Sequence, residues 1–384
     1  MFADAARTGA YLAAIERGVR AGSVVVEIGT GVGYFAVAAC RAGARRVYAI
    51  ELNPAIELGG PVAADNACAD RITFIREDSR RVILPEQGDL LLSDLRGVLP
   101  AYGEHIPTLV DARKRLIRPG ASLVPSRDSM FAAPCVAPAD WRRDHILPRN
   151  DPHGISRRAV AVRVRSNWHR CHLAADDVLA DGVEWASLAY SDIESPDLSG
   201  RADWLVPREC AADGVAVWFD GDFGFGVLLS NAPSAPRTLY GQAFFPFERS
   251  LALRAGDHLS VDFRANLVDG GYLWGWDTTL TPAAGGAPTV FRQSNLAARV
   301  VALDRLRRRS AGHRPADSGS VTLMRTLTSL VDGSRTLAEI ADAMHEAHPG
   351  AFRDTEAALI FASARLGSLE DEDDRTSPAI PSTD

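Results

Sequence analysis

Residues 24–51 read VVVEIGTGVGYFAVAACRAGARRVYAIE, and this stretch decides the fold. Val24, Val25 and Val26 form a short β-branched run suited to a buried strand. Glu27-Ile28-Gly29-Thr30-Gly31-Val32-Gly33 follows at once. Gly29, Gly31 and Gly33 allow a sharp turn and let backbone come close to a ligand. An Ala-rich helix is expected over 34–42, then a second buried strand over Val47–Ile50 that ends on Glu51. Strand, glycine turn, helix, strand and acid make the nucleotide-binding half of an open α/β sheet. The acid falls about 20 residues past the glycines, where it can accept hydrogen bonds from ribose hydroxyls. A dinucleotide and S-adenosylmethionine both suit such a half. The spacing here is G-x-G-x-G rather than G-x-G-x-x-G, and the turn begins on the acid Glu27. That acid would repel a pyrophosphate but not a cationic amino-acid sulfonium. The expected cofactor is S-adenosylmethionine.

At 384 residues the chain has room for two or three domains, and its 46% apolar content supports a sizeable core. The net charge of −7 argues against a nucleic-acid-binding body. The five cysteines (Cys40, Cys68, Cys135, Cys171, Cys210) are odd in number and form no C-x-x-C pair. Neither a zinc site nor a disulfide framework is expected, so reduced thiols are the simple reading. The first residues lack a basic-then-apolar signal layout, and no 18-residue apolar run occurs. The expectation is a soluble, cytoplasmic chain with no membrane partner.

Along the chain, 3–20 has helical spacing, with Arg7 and Tyr11 one turn apart on one face. Asn53-Pro54 opens a helix through Ala67, and Arg71–Ile75 reads as a third strand. The loop after it holds Asp78 and Ser79, which would face an adenine ring and its amine. A fourth strand over 89–94 ends on Asp94. In open α/β sheets chemistry lies beyond the strands' carboxyl ends, so Asp94 is the first catalytic candidate. Helix 106–116, a turn over 118–121 and a strand over 122–125 follow. From about 127 short alternating runs dominate, among them 159–164 (AVAVRV), 215–219 (VAVWF), 259–263 (LSVDF) and 272–276 (YLWGW). They predict a β-barrel or sandwich layer, while the polar, Pro-rich 138–158 reads as an irregular insertion. Helices return with a basic segment over 300–309. The segments 321–331, 337–345 and 355–366 make a small helical module, with a capping box formed by Thr336 and Glu339. The expected division is a Rossmann-like cofactor domain over 1–125, a β-barrel over 126–299, a helical or winged-helix module over 300–369 and a disordered tail over 370–384.

Several separated segments together resemble the protein arginine methyltransferases. Met1-Phe2-Ala3-Asp4-Ala5-Ala6-Arg7-Thr8 is similar to that family's M-L-x-D-x-x-R-T. Glu27–Gly33 and Val47–Glu51 resemble its cofactor motifs, and Asp70-Arg71-Ile72-Thr73 its D-R-I-T strand. Ser93-Asp94-Leu95-Arg96-Gly97 stands where the family has S-E-W-M-G. Asp111-Ala112-Arg113, Arg118-Pro119-Gly120, Trp218-Phe219-Asp220, Ser230–Pro233 and Thr238–Gln242 continue the match. The resemblance implies an active site between a cofactor domain and a barrel. It implies Arg7 at the cofactor carboxylate, Glu51 with Leu52 at the ribose end, and a homodimer paired through an arm within 140–200.

The departures carry equal weight. The first of the family's two clamp glutamates aligns with Asp94, and the second with Gly103, beside Glu104. Leu239 and Tyr240 replace the His and Trp of T-H-W. A guanidinium prefers a paired, bidentate acceptor set, so the altered site points to an amine nucleophile. Asp94 and Glu104 would hold the amine, and His105 would take its proton. Arg96 would recognise a substrate carboxylate or carbonyl, with Tyr240 and Gln242 lining the pocket from the barrel. Leu330–Ala341 resembles the L-x-D-G-x-x-T-x-x-E-I-A segment of PqqD-like leader-peptide-binding domains, which implies a leader bound through 320–366. The expected function is S-adenosylmethionine-dependent N-methylation of an amine on a ribosomally made, modified peptide, with a daptide-type terminal amine as the specific case. A true arginine methyltransferase and a non-catalytic cofactor-binding scaffold are the rivals.

Overall fold

The computed structural model describes residues 3–139, 141–142, 154–156, 158–299, 303–316 and 318–374. In it, Val24–Ile28 (β1) is the central strand of a five-stranded parallel sheet. Arg46–Ile50 (β2) and Ile72–Ile75 (β3) lie on one side; Gly88–Ser93 (β4) and Ile117–Val124 (β5) lie on the other. The order is β3-β2-β1-β4-β5. Val24, Val26 and Ile28 enter one apolar core and Val25 another, as a strand buried on both faces must. The strand order reverses between β1 and β4, so the carboxyl ends of β1, β2 and β4 border the crevice where ligands of such sheets bind.

Helix α1 (Ala5–Gly18) ties this sheet to the rest. Asp4 caps it by accepting from the Arg7 amide at 3.0 Å, and its other oxygen accepts from the Leu239 amide at 2.6 Å. Tyr11, Ala14 and Ile15 share one core with Phe35 and with Phe219, Phe223 and Tyr240 from the β region. Burying each such large apolar side chain contributes roughly 1.5–3 kcal/mol. The cofactor sheet and the β region therefore form one compact unit, Met1–Val300.

The β region is barrel-like. One antiparallel sheet contains Arg127–Cys135 (β6), His169–Cys171 (β7), Val183–Ala189 (β8), Cys210–Asp222 (β10), Leu228–Ser230 (β11) and Gln242–Leu253 (β12). The other contains Leu198–Leu205 (β9), His258–Val268 (β13), Gly271–Thr281 (β14) and Thr289–Ser294 (β15). Trp185, Phe245, Phe263, Trp274 and Trp276 belong to one core with both sheets. Among the described residues no strand pairing joins the two sheets.

Two local expectations are corrected. Residues 118–121 do not form a separate turn. They lie within β5, where the register against β4 jumps from Gly88↔Ile117 to Leu90↔Ser122 and a bulge absorbs them. The alternating run 159–164 is helical, as α5 (Arg158–Arg165), after Tyr34–Arg41 (α2), Gly59–Asp65 (α3) and His105–Arg115 (α4). Among the described residues it pairs with no strand. Arg165 instead donates to the Phe247 carbonyl and Arg163 to those of Ala297 and Arg299. Most of the expected insertion over 138–158 lies outside the described residues.

The second unit, Val301–Asp384, is helical. It holds Leu303–Arg308 (α6), Gly319–Leu330 (α7), Leu337–Ala347 (α8) and Thr355–Asp374 (α9). Leu327, Ile340, Met344, Phe352 and Ala358 form its core. Thr336 and Glu339 make the capping box. No strand occurs among the described residues of this unit, so neither a wing nor a sheet edge is seen there. Residues 370–374, read as the start of a disordered tail, continue α9; 375–384 lie outside the described residues. Among the described residues no helix is long and apolar enough to cross a membrane, and the five cysteines are free thiols.

Candidate active site

Two adjoining cavities open at the carboxyl ends of the strands. One, of about 250 Å³, is bordered by Arg7, Glu27, Gly29, Gly31, Glu51 and Asp94. The other, of about 360 Å³, is bordered by Glu51, Leu52, Asp78, Ser79, Glu104 and His105. Gly29, Glu51 and Leu95 line both. Gly31 has φ +58°, and a Cβ there would meet nothing within 4 Å, so its backbone borders open space. Glu51 accepts from the Gly31 amide at 3.1 Å and from the Asn53 amide at 2.8 Å, which fixes its carboxylate at the join. Glu27 is buried and accepts from the Thr30 hydroxyl at 2.7 Å. Burial pushes its carboxyl up to about 7 despite that bond, so a nearby cation would readily ionise it. Charged side chains from α1 and the strand ends stand in the first cavity, and Asp78 and Ser79 of the loop after β3 stand in the second. The chain's donors and acceptors thus fit a molecule with an amino-acid end, a ribose and an adenine.

Asp94 follows β4 and lies where four elements meet. Arg7 of α1 contacts its Oδ2 through both Nε and a terminal nitrogen. The Tyr240 hydroxyl, from the loop before β12, donates to Oδ1 at 2.7 Å. Arg96 Nε lies 3.5 Å from the same oxygen. Arg96 is itself enclosed: its side chain is 0% exposed and its NH1 is 2.9 Å from Asp128 Oδ1 on β6. Its guanidinium lies over the rings of Phe219, Phe223 and Tyr240 at 5.0, 5.1 and 5.5 Å. Burial alone would lower the Arg96 pKa, but Asp128, the surrounding tyrosines and Asp94 hold it well above its usual value. Tyr190 donates to Asp128 and contacts His105 Nε2 at 3.1 Å, so one buried chain links Asp94, Arg96, Asp128, Tyr190 and His105.

This arrangement brings some expected residues together and separates others. Arg7, Asp94 and Tyr240 converge. Glu104 does not join them: it borders the second cavity and pairs with Arg80 at 3.2 Å, and Arg80 also holds Asp78. His105 is only 1% exposed. Burial, with Arg96 nearby, pushes its imidazole down to about 3, far too weak a base for the near-neutral role expected of it. Arg96 is wholly buried, gives its terminal nitrogens to Asp128 and Tyr11 and borders neither cavity, so it is not placed to recognise a substrate carboxylate. Gln242 faces away from the crevice, accepting from the Leu173 amide and donating to the Asn231 carbonyl, which organises the loop carrying Tyr240. Asp128 and Tyr190 were not legible as site residues. Their role depends on antiparallel register, Asp128 against Gly221, and no local motif encodes that.

A family profile described as the TRM5/TYW2 methyltransferase domain matches residues 6–111, the cofactor-binding half. The "Arginine N(omega)-methyltransferase" of Streptomyces achromogenes subsp. streptozoticus is 29% identical over 272 residues, covering 68% of this chain and 73% of that one. The "Protein arginine N-methyltransferase PRMT10" of Oryza sativa subsp. japonica is 33% identical over 303 residues, covering 68% of this chain and 78% of that one. The chain belongs to the protein arginine methyltransferase family. It is an S-adenosylmethionine-dependent methyltransferase, and the cofactor supplies an electrophilic methyl group carried on a sulfonium. Solved structures of the family share its fold. The Trypanosoma brucei PRMT1 enzyme–prozyme complex with AdoHcy superposes with a TM-score of 0.70 at 19% identity, over 77% of this chain and 96% of that one. Arabidopsis thaliana protein arginine methyltransferase 10 superposes at 0.67 and 19%, over 77% and 95%.

Proposed function

We propose that this family member N-methylates an amine of a peptide, a terminal amine of a ribosomally made, modified peptide being the specific case. The observation that carries this is the separation of the two acids a guanidinium clamp would need. Asp94 is taken up by Arg7 and Tyr240, whereas Glu104 is paired with Arg80 on the other cavity. A planar cation with five donors finds no paired acceptors; a single amine needs only one acceptor and a free lone pair. In this reading Arg7, Glu27, Gly29 and Gly31 hold the cofactor's amino-acid end and Glu51 with Leu52 its ribose, while Gly33, which borders neither cavity, opens α2 against Phe74. Asp78 and Ser79 hold the adenine, and Asp94 with Tyr240 orients the acceptor nitrogen. That nitrogen's lone pair would take the methyl group as the sulfonium's S–CH3 bond breaks, the cofactor would leave as the neutral sulfide, and the nitrogen's proton would pass to solvent.

A second reading, arginine methylation, is favoured by the names of the curated relatives. Mass spectrometry of products formed from three acceptors separates the two: a peptide with a free terminal amine, the same peptide with that amine blocked and an internal arginine, and free arginine. The expected product is the methylated amine, and Glu104→Ala is expected to change its rate by less than about threefold, as for an exposed pair. Methylarginine as the main product, lost in Glu104→Ala, would establish the arginine reading instead.

We also propose 1–125, 126–299 and 300–369 as functional divisions, in a cytoplasmic homodimer. The exposed Ile155, Val160 and Val162 beside and on α5 supply an apolar surface for the dimer arm. The leader-peptide role of 320–366 is supported by the Leu330–Ala341 sequence and by exposed Val321, Val331 and Leu337. Truncation after Ala311 is then expected to weaken peptide affinity at least about tenfold, some 1.4 kcal/mol, and to leave cofactor affinity unchanged. Equal peptide affinity with and without the module would remove the role.

A further inference from the structure

We propose that Asp4 is a positioning residue for methyl transfer. Its carboxylate joins the start of α1 to the loop before β12, and so aims Arg7 and Tyr240, the two side chains that hold the two oxygens of Asp94. The proposal deepens the reading of this site and rests on Asp94 with Tyr240 orienting the acceptor nitrogen.

Asp4 gives each oxygen to a different element. Oδ1 accepts from the Arg7 amide at 3.0 Å, as the N-cap of α1. Oδ2 accepts from the Leu239 amide at 2.6 Å, 235 residues away in the chain. The Leu239 side chain is apolar, so its backbone is all that it offers a carboxylate. Both elements meet again on Asp94, where Arg7 contacts Oδ2 and the Tyr240 hydroxyl donates to Oδ1 at 2.7 Å. The links close a ring that runs from Asp4 through Leu239, Tyr240, Asp94 and Arg7 back to Asp4. Two carboxylates therefore tie α1 to one loop, Asp94 through side chains and Asp4 through backbone amides.

The other holds on this loop lie within the β region. Arg170 donates to the Leu239 carbonyl, Asn231 to the Gly241 carbonyl and Gln242 to the Asn231 carbonyl. They fix the loop against its own sheet but not its distance from Arg7. Tyr11 of α1 and Tyr240 share an apolar core, which holds the two elements together. Apolar packing is non-directional, whereas a hydrogen bond from an amide to a carboxylate is short and directional. Asp4 therefore sets the aim of Tyr240 on Asp94, relative to the helix that carries Arg7 into the first cavity.

A role in capping α1 alone is the competing view, and Asp4→Ser separates the two. Serine caps a helix about as well as aspartate, but its single oxygen on a shorter side chain cannot also hold Leu239. Rates are measured at saturating cofactor, on the acceptor that the product assay identifies. Asp4→Ser is expected to lower kcat by about 10- to 100-fold, the cost of a misaimed reacting group. With the cap kept, the melting temperature should stay at the wild-type value and S-adenosylhomocysteine affinity within about threefold. Asp4→Ala, which loses cap and link together, should lower kcat similarly and the melting temperature as well. A kcat for Asp4→Ser equal to that of wild type would overturn the proposal. A double-mutant cycle with Tyr240→Phe then asks whether Asp4 acts through the loop. Coupled residues are non-additive, so in the Tyr240→Phe background Asp4→Ser should change kcat by less than about threefold. Losses that multiply in full would overturn it too. Asp4→Thr, which also caps, stands in should circular dichroism show that Asp4→Ser does not fold. A methylarginine product from wild type would remove the amine reading, and the same cycle run on that acceptor still decides what Asp4 does.

Discussion

Asp94→Asn is expected to lower kcat by about 10²–10³ while keeping S-adenosylhomocysteine affinity within about tenfold. Asparagine has nearly the same shape as aspartate, so the packing around β4 should survive. It loses the charge that holds Arg7 and alters the acceptor at Oδ1 to which Tyr240 donates. Positioning is most of what this chain contributes to methyl transfer, because the leaving group comes with the cofactor. Single-turnover rates at saturating cofactor measure the effect. A rate within threefold of wild type would place the acceptor elsewhere and undo the assignment of Asp94.

The second large effect is on stability. Asp128→Ala is expected to destabilise the first unit by about 3–5 kcal/mol, the usual result of removing one partner of a buried ion pair. Arg96 would keep its charge with no carboxylate in contact except Asp94 at 3.5 Å, and the Tyr190 hydroxyl would lose its carboxylate acceptor and keep only His105 Nε2. Thermal denaturation should show a fall of several degrees, on the order of 2–4 °C for each kcal/mol in a body of this size. Arg96→Met/Asp128→Asn should recover much of the loss, since neither buried charge remains. An unchanged melting temperature for Asp128→Ala would mean that water reaches the pair, against its burial.

The cofactor half was legible because its signals are local. Val24–Val26, the glycines and Glu51 lie within one strand-turn-helix-strand unit, and short-range backbone preferences decide such units. Asp94 was legible for the same reason, as the acid at a strand's end. The run 159–164 alternates as a strand would but is helical, because alternation alone does not show whether a partner strand is available. His105 was misjudged for a related reason. Its place beside the strand-tip acids makes it a candidate base, but α4 turns its imidazole inward to Tyr190, where burial keeps it neutral.

The amino-acid order by itself determined that a parallel sheet carries a glycine turn and an acid at its mouth, that a β-rich region and a helical module follow, and that Asp94 comes directly after the fourth strand. Only the tertiary structure decided what Asp94 meets. Arg7, Arg96, Asp128 and Tyr240 come from four elements far apart in the chain, and long-range packing sets their distances. Coulomb energy and desolvation depend on those distances and on burial, so the charge a substrate encounters is a property of the folded molecule.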